Sequence, residues 1–132
     1  MSWSWTELGT DSDFAEVKSV SVVPDPPELG RNLDIKVTGV IESSPEELEG
    51  ASVTILVRIA GSTVHKTQKS LPDFLKDLGS SLPSESGPFS LTLSLGQLQG
   101  LAPTKYSVRV TGTTTDDHQV FDLDFTFDAR PK

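Results

Sequence analysis

Five runs of the chain alternate apolar and polar residues with period two, the pattern that sends every second side chain of a β-strand to one face. Leu33, Ile35 and Val37 alternate with Asp34, Lys36 and Thr38. Val53, Ile55, Val57 and Ile59 follow, with Leu56 on the opposite phase making that strand less strictly two-sided. Phe89, Leu91, Leu93 and Leu95 alternate with Ser90, Thr92 and Ser94 in the cleanest half-buried run of the set. Tyr106, Val108 and Val110 repeat the pattern. Phe121, Leu123, Phe125 and Phe127 then alternate with Asp122, Asp124, Thr126 and Asp128. An apolar face written beside a polar one predicts antiparallel sheet with one wet side.

Turn-forming clusters at 24–30, 43–47, 84–88 and 116–117 separate these runs. A further strand near 17–23 and a short one around 63–68 bring the total to about seven antiparallel strands, the usual number for an immunoglobulin-like β-sandwich. The predicted fold class is therefore all-β. Residues 72–79 break the rhythm: Phe74, Leu75 and Leu78 have helical spacing and Gly79 supplies a stop, so a short helical loop is expected there. The run 42–49, with four acids and no base, reads as a solvated loop. Trp3 and Trp5 share a face if residues 1–7 form an extended edge segment, where they would pack on the sheet. A length of 132 residues fits one domain spanning 1–132.

Charge removes one class of partner. Lys and Arg number 11 against 19 Asp and Glu, a net charge of −8, so the long-range field repels phosphate backbones and no nucleic acid is expected. The chain has no cysteine, which excludes disulfides, thiolate metal sites and cysteine nucleophiles together. His65 and His118 are not spaced as a metal pair, and neither a serine-nucleophile motif nor a phosphate-binding glycine loop is present. The acid pairs Glu46-Glu47 and Asp116-Asp117 lie in polar, turn-like surroundings suited to solvation and local backbone bonds. No enzymatic activity, metal or cofactor is expected. No stretch approaches the roughly 20 apolar residues of a membrane span. The opening MSWSWTE lacks the basic start and apolar run of a secretory signal, which fits either a cytosolic protein or a chain that starts at a mature N-terminus.

The order of the segments carries a resemblance. The string VKSVSVVPDPPELGRNLDIKVTG at 17–39 resembles the first two strands of the ML-domain lipid-recognition family, particularly its fungal-type phosphatidylglycerol/phosphatidylinositol transfer proteins. EGASVTILVR at 49–58 is similar to the third strand, LPDFLKDLGSSLP at 71–83 to the loop over the cavity, and GPFSLTL at 87–93 to the strand after it. PTKYSVRV at 103–110 and VFDLDF at 120–125 complete the order. The resemblance implies splayed sheets around an apolar cavity that carries a sterol, fatty acid or phospholipid without altering it.

On that reading the inward residues line the core, and those near the open end touch lipid. They are Ile35 and Val37, then Val53, Ile55, Val57 and Ile59, then Phe89, Leu91 and Leu93, then Tyr106, Val108 and Val110, and finally Phe121, Leu123 and Phe125. Phe74, Leu75 and Leu78 form the entrance. Lys66, Lys69 and Lys76 flank it: residues 62–80 carry three lysines against Asp73 and Asp77, or +1, which leaves −9 for the rest of the chain. That local relief suits an anionic headgroup or transient membrane contact, or else simple solubility. A monomer is expected.

The departure from the family is its missing cysteines. Leu8, Leu71, Leu82 and Val120 stand at the positions where the resemblance would place them. Losing a disulfide typically costs about 2–5 kcal/mol, so apolar packing at these positions is expected to compensate. The family setting is secreted or a vacuolar or lysosomal lumen; absent cysteines fit a cytosolic or engineered version. The alternative reading is an immunoglobulin-like protein-interaction domain with a filled core.

Overall fold

The computed structural model describes residues 2–9, 14–25, 28, 31–42, 45–81, 86–97 and 104–128. Leu82, Pro83 and Pro103, named above, lie outside the described residues, as do 26–27, 29–30, 43–44 and 84–85 of the turn clusters.

Each alternating run forms a strand. In chain order the elements are β1 (Ser2–Glu7), β2 (Ala15–Val23), β3 (Asn32–Ile41), α1 (Pro45–Glu49), β4 (Ser52–Ile59), β5 (Ser62–Ser70), α2 (Leu71–Asp77), β6 (Gly87–Gln97), β7 (Lys105–Thr113) and β8 (Gln119–Asp128). They build a five-stranded sheet in the order β1-β8-β7-β4-β5 and a three-stranded sheet in the order β2-β3-β6. Every pairing is antiparallel. The strand beyond the expected seven is β1, whose Trp3 and Trp5 pair with Phe127 and Phe125 and pack against the core.

Register places the apolar phases on the inner faces, since residues opposite one another in a ladder share a face. In the larger sheet Ile55 pairs with Val110 and Val110 with Leu123. In the smaller one Val22 pairs with Ile35 and Ile35 with Leu93. Leu33, Leu48, Val53 and Val120 are the largest wholly buried side chains of the core.

The run 42–49 departs from the expected loop. Pro45–Glu49 is a short helix, because Leu48, the apolar residue among the acids, is 2% exposed and anchors the segment on the core. The second helix is capped at both ends: the Ser70 hydroxyl accepts from the Asp73 N–H at 3.3 Å, and Gly79, at φ 77°, allows the Ser80 N–H to reach the Leu75 carbonyl at 2.8 Å. The β4–β5 hairpin turns on Ala60 (φ 50°) and Gly61 (φ 86°), the left-handed pair that a two-residue type I′ loop requires.

The two sides of the sandwich close differently. On one, β2 meets β8, where the Phe14 N–H donates to the Gln119 carbonyl at 3.3 Å and the Phe14 ring stacks on His118 at 3.9 Å between centroids. On the other, β5 and β6 are edge strands that do not pair, and α2 bridges them. The Leu71 N–H donates to the Ala51 carbonyl at 2.9 Å, and the Ser94 N–H of β6 donates to the Leu78 carbonyl at 2.8 Å.

Candidate functional site

Between the sheets, at the end where the helices sit, lies a cavity of about 100 Å³ with wholly apolar walls. The three-stranded sheet contributes Ala15, Val17, Val37, Ile41, Phe89, Leu91 and Leu93; the five-stranded sheet contributes Val110, Val120, Phe121, Leu123 and Phe125. The helices supply the remaining wall: Leu48 from α1, and Leu71, Phe74 and Leu75 from α2. A broader depression of about 280 Å³, lined by Trp3, Ser4, Lys105, Thr126 and Asp128, has mixed polar and apolar walls and offers a hydrocarbon no comparable surface.

The structure divides the inward residues that alternation had grouped. Val37, Phe89, Leu91, Leu93, Val110, Phe121, Leu123 and Phe125 meet around the cavity. Ile35 and Val53 are buried core residues away from it. Ile55 and Val108 are half-buried and packed against the core, and Val57, Ile59 and Tyr106 are half-buried toward the opposite end of β4 and β7; none of these five lines the cavity. Their position along the strands sets these five apart from the cavity, as the reading that only residues near the open end touch lipid allows. A shared face does not imply a shared level.

The segment expected to form the entrance also separates. Phe74 and Leu75 face the cavity, whereas Leu78 is the C-cap of α2 and fixes the helix to β6 through its carbonyl. Lys69 is paired with Asp77, Nζ to Oδ2 at 2.8 Å. Lys66 stands opposite Leu56 on the outer face of the five-stranded sheet, while Lys69 stands opposite Val53 on the inner phase. Lys76 is exposed on α2.

Alternation missed Ala15, Val17, Ile41, Leu48, Leu71 and Val120. Ile41 continues the phase of Val37, but Gly39 between them interrupts the apolar signal. Leu48 was legible only as the apolar residue inside an acidic run. Leu71 and Val120, two of the cysteine-equivalent positions, are 5% and 2% exposed in the cavity wall, whereas Leu8 is 44% exposed and supplies no such packing.

On the outer face, Asp122 is buried at 4% exposure beneath a polar network. Arg109 donates to it twice, Nε to Oδ1 at 3.0 Å and Nη2 to Oδ2 at 2.6 Å, and the Thr111 hydroxyl adds a third bond at 3.1 Å. Arg109's hydrogen bonds to Asp122, then the Asp122 charge and a smaller contribution from Asp124, raise the Arg109 pKa against a partial desolvation that lowers it. The network joins β7 to β8 behind the cavity wall.

Comparison with known proteins adds to this geometry. A phosphatidylglycerol/phosphatidylinositol transfer protein of Cryptococcus neoformans var. neoformans is 32% identical over 133 residues, covering 99% of this chain and 73% of its own length. Among solved structures, a Niemann-Pick type C2 protein from Japanese carpenter ant has a TM-score of 0.62 at 9% identity, over 93% of this chain and 96% of its own. Chicken MD-1, solved in complex with lipid IVa, has a TM-score of 0.51 at 16% identity over 96% and 97%. These two likenesses concern the fold. Residues 6–129 match the ML domain, and the chain belongs to the ML-domain family.

Proposed function

We propose that this protein binds a lipid tail between its sheets and transfers the lipid between membranes without chemical change. The observation that carries this reading is the wholly apolar cavity at the helix-covered end of the sandwich. At about 24 cal/mol per Å³, an empty void of about 100 Å³ costs about 2 kcal/mol, which a hydrocarbon guest would offset. The relative's name supports an anionic glycerophospholipid, phosphatidylglycerol or phosphatidylinositol, as the cargo.

Ligand pockets usually measure about 300–1,000 Å³, so a cavity of about 100 Å³ accepts part of a tail and must widen for the rest. The compliant wall is α2, because it spans two unpaired edges and is joined to the sheets by a few hydrogen bonds and one exposed ion pair. Outward movement of Phe74 and Leu75 opens the interior beside β5, where the headgroup stays in water. Contact with the donor membrane is transient and made through this side.

The test is transfer of fluorescent phosphatidylglycerol from donor to acceptor vesicles. Catalysed transfer that saturates with protein, leaving the lipid chemically intact, supports the reading. A rate equal to spontaneous exchange contradicts it and favours a protein-interaction domain.

A further inference from the structure

We infer that Gly112 sets the depth of the cavity by giving the Phe121 ring room to lie back against β7, with Gly39 and Phe89 repeating the device in the other sheet. This rests on the lipid-carrier reading and extends it to a residue that determines what fits.

Gly112 is buried on the inner face of β7, opposite Phe121 of β8. Its backbone does not have the positive φ that would by itself call for glycine. Space does. A Cβ at 112 would stand 2.6 Å from Cε1, 2.9 Å from Cδ1 and 3.0 Å from Cζ of Phe121, so one side of the ring occupies the volume that any other residue would fill. Phe121 also lines the cavity. The ring thus lies between the β7 backbone and the void.

The three-stranded sheet has the same relationship. Gly39 of β3 pairs with Phe89 of β6, a Cβ there would lie 3.0 Å from Cε1 of Phe89, and Phe89 also lines the cavity. At Gly39 the added atom would in addition overlap the Glu16 carbonyl oxygen, so this glycine is required by the backbone as well. Gly112 has no such second constraint and is the position at which cavity depth can be changed separately.

A methyl group at 112 has to displace the ring by about 1 Å to reach ordinary carbon contact. The β7 backbone closes the way behind, and the ring already borders the void of about 100 Å³, so its displacement is directed toward that void. Glycine at 112 therefore keeps the site open to a guest.

Xenon and a fluorescent fatty acid separate this inference from the reading on which it rests, because apolar cavities take up xenon whatever their biological ligand. Xenon-induced shifts of leucine and valine methyl resonances should be clear in the wild type, markedly smaller in Gly112→Ala, and restored in Gly112→Ala/Phe121→Leu. Fatty-acid affinity should fall at least tenfold in Gly112→Ala. Wild-type shifts retained in Gly112→Ala, no shifts in the wild type, or no recovery in the double variant would each overturn the inference. Xenon uptake without fatty-acid binding in the wild type would contradict the lipid reading and leave the glycine's role to be judged on xenon alone. Should Gly112→Ala fail to fold, Phe121→Leu by itself decides: larger xenon shifts are expected, and unchanged shifts contradict the inference.

Discussion

Lys69 Nζ lies 2.8 Å from Asp77 Oδ2, joining edge strand β5 to the last turn of the helix that covers the cavity. The two side chains are 42% and 56% exposed, so the pair contributes at most about 1 kcal/mol and weakens with salt. Its proposed importance is kinetic. Asp77→Ala should lower the melting temperature slightly while speeding both uptake and release of a fluorescent fatty acid in stopped-flow measurements. Unchanged rates would remove the pair from the account of how α2 opens.

Arg109 and Asp122 form a different kind of pair, with the carboxylate side chain 5% exposed and the guanidinium 43%. Removing one partner of a buried pair leaves the other without compensation; with Arg109 partly in water, the cost of Arg109→Met is about 1–3 kcal/mol in chemical denaturation. Asp122→Asn in that background should recover part of the loss. The Arg109 pKa is raised, so the stabilisation is complete below the ordinary arginine range and is lost only as pH rises through strongly alkaline values. This pair should therefore give no slope of stability between about pH 6 and 9.

Ala60 adopts φ 50° in the β4–β5 turn, a conformation that costs an L-residue other than glycine or asparagine roughly 1–2 kcal/mol. Ala60→Asn, which creates the preferred Asn-Gly pair of a type I′ hairpin, should stabilise the protein by about 0.5–1 kcal/mol. Equilibrium unfolding in urea checks this, and a loss of stability would show that the turn is not held as described.

The separation of core from cavity predicts two opposite phenotypes. Leu33, 1% exposed and away from the cavity, should lose about 2–5 kcal/mol on truncation to alanine, while the remaining folded protein binds lipid normally. Leu91, half-buried in the cavity wall, should behave in reverse. Leu91→Phe narrows the void, so stability changes little and binding weakens. Thermal melts with and without fatty acid distinguish the two.

The strands were legible because side-chain period and strand period coincide, and the runs at 53–59 and 121–127 fall inside β4 and β8. The helical spacing of Phe74 and Leu75 also marked residues that face the interior. Level along the strands was not legible. Nothing in the alternation of Val53, Ile55, Val57 and Ile59 says which end faces a void, because that depends on the opposite sheet and on where the helices cross. Residues identified by a break in pattern were hidden for a related reason. Gly39 and Gly112 interrupt apolar runs in sequence, yet in the sandwich each is the space into which a neighbouring phenylalanine leans.

The most direct measurement is native mass spectrometry of the protein after incubation with phosphatidylglycerol vesicles and separation from them. One phospholipid mass per chain is expected in the wild type, and a clearly smaller bound fraction in Leu91→Phe. Wild-type protein emerging at the bare chain mass, while folded and stable, would contradict the claim that the space between the sheets is a lipid site.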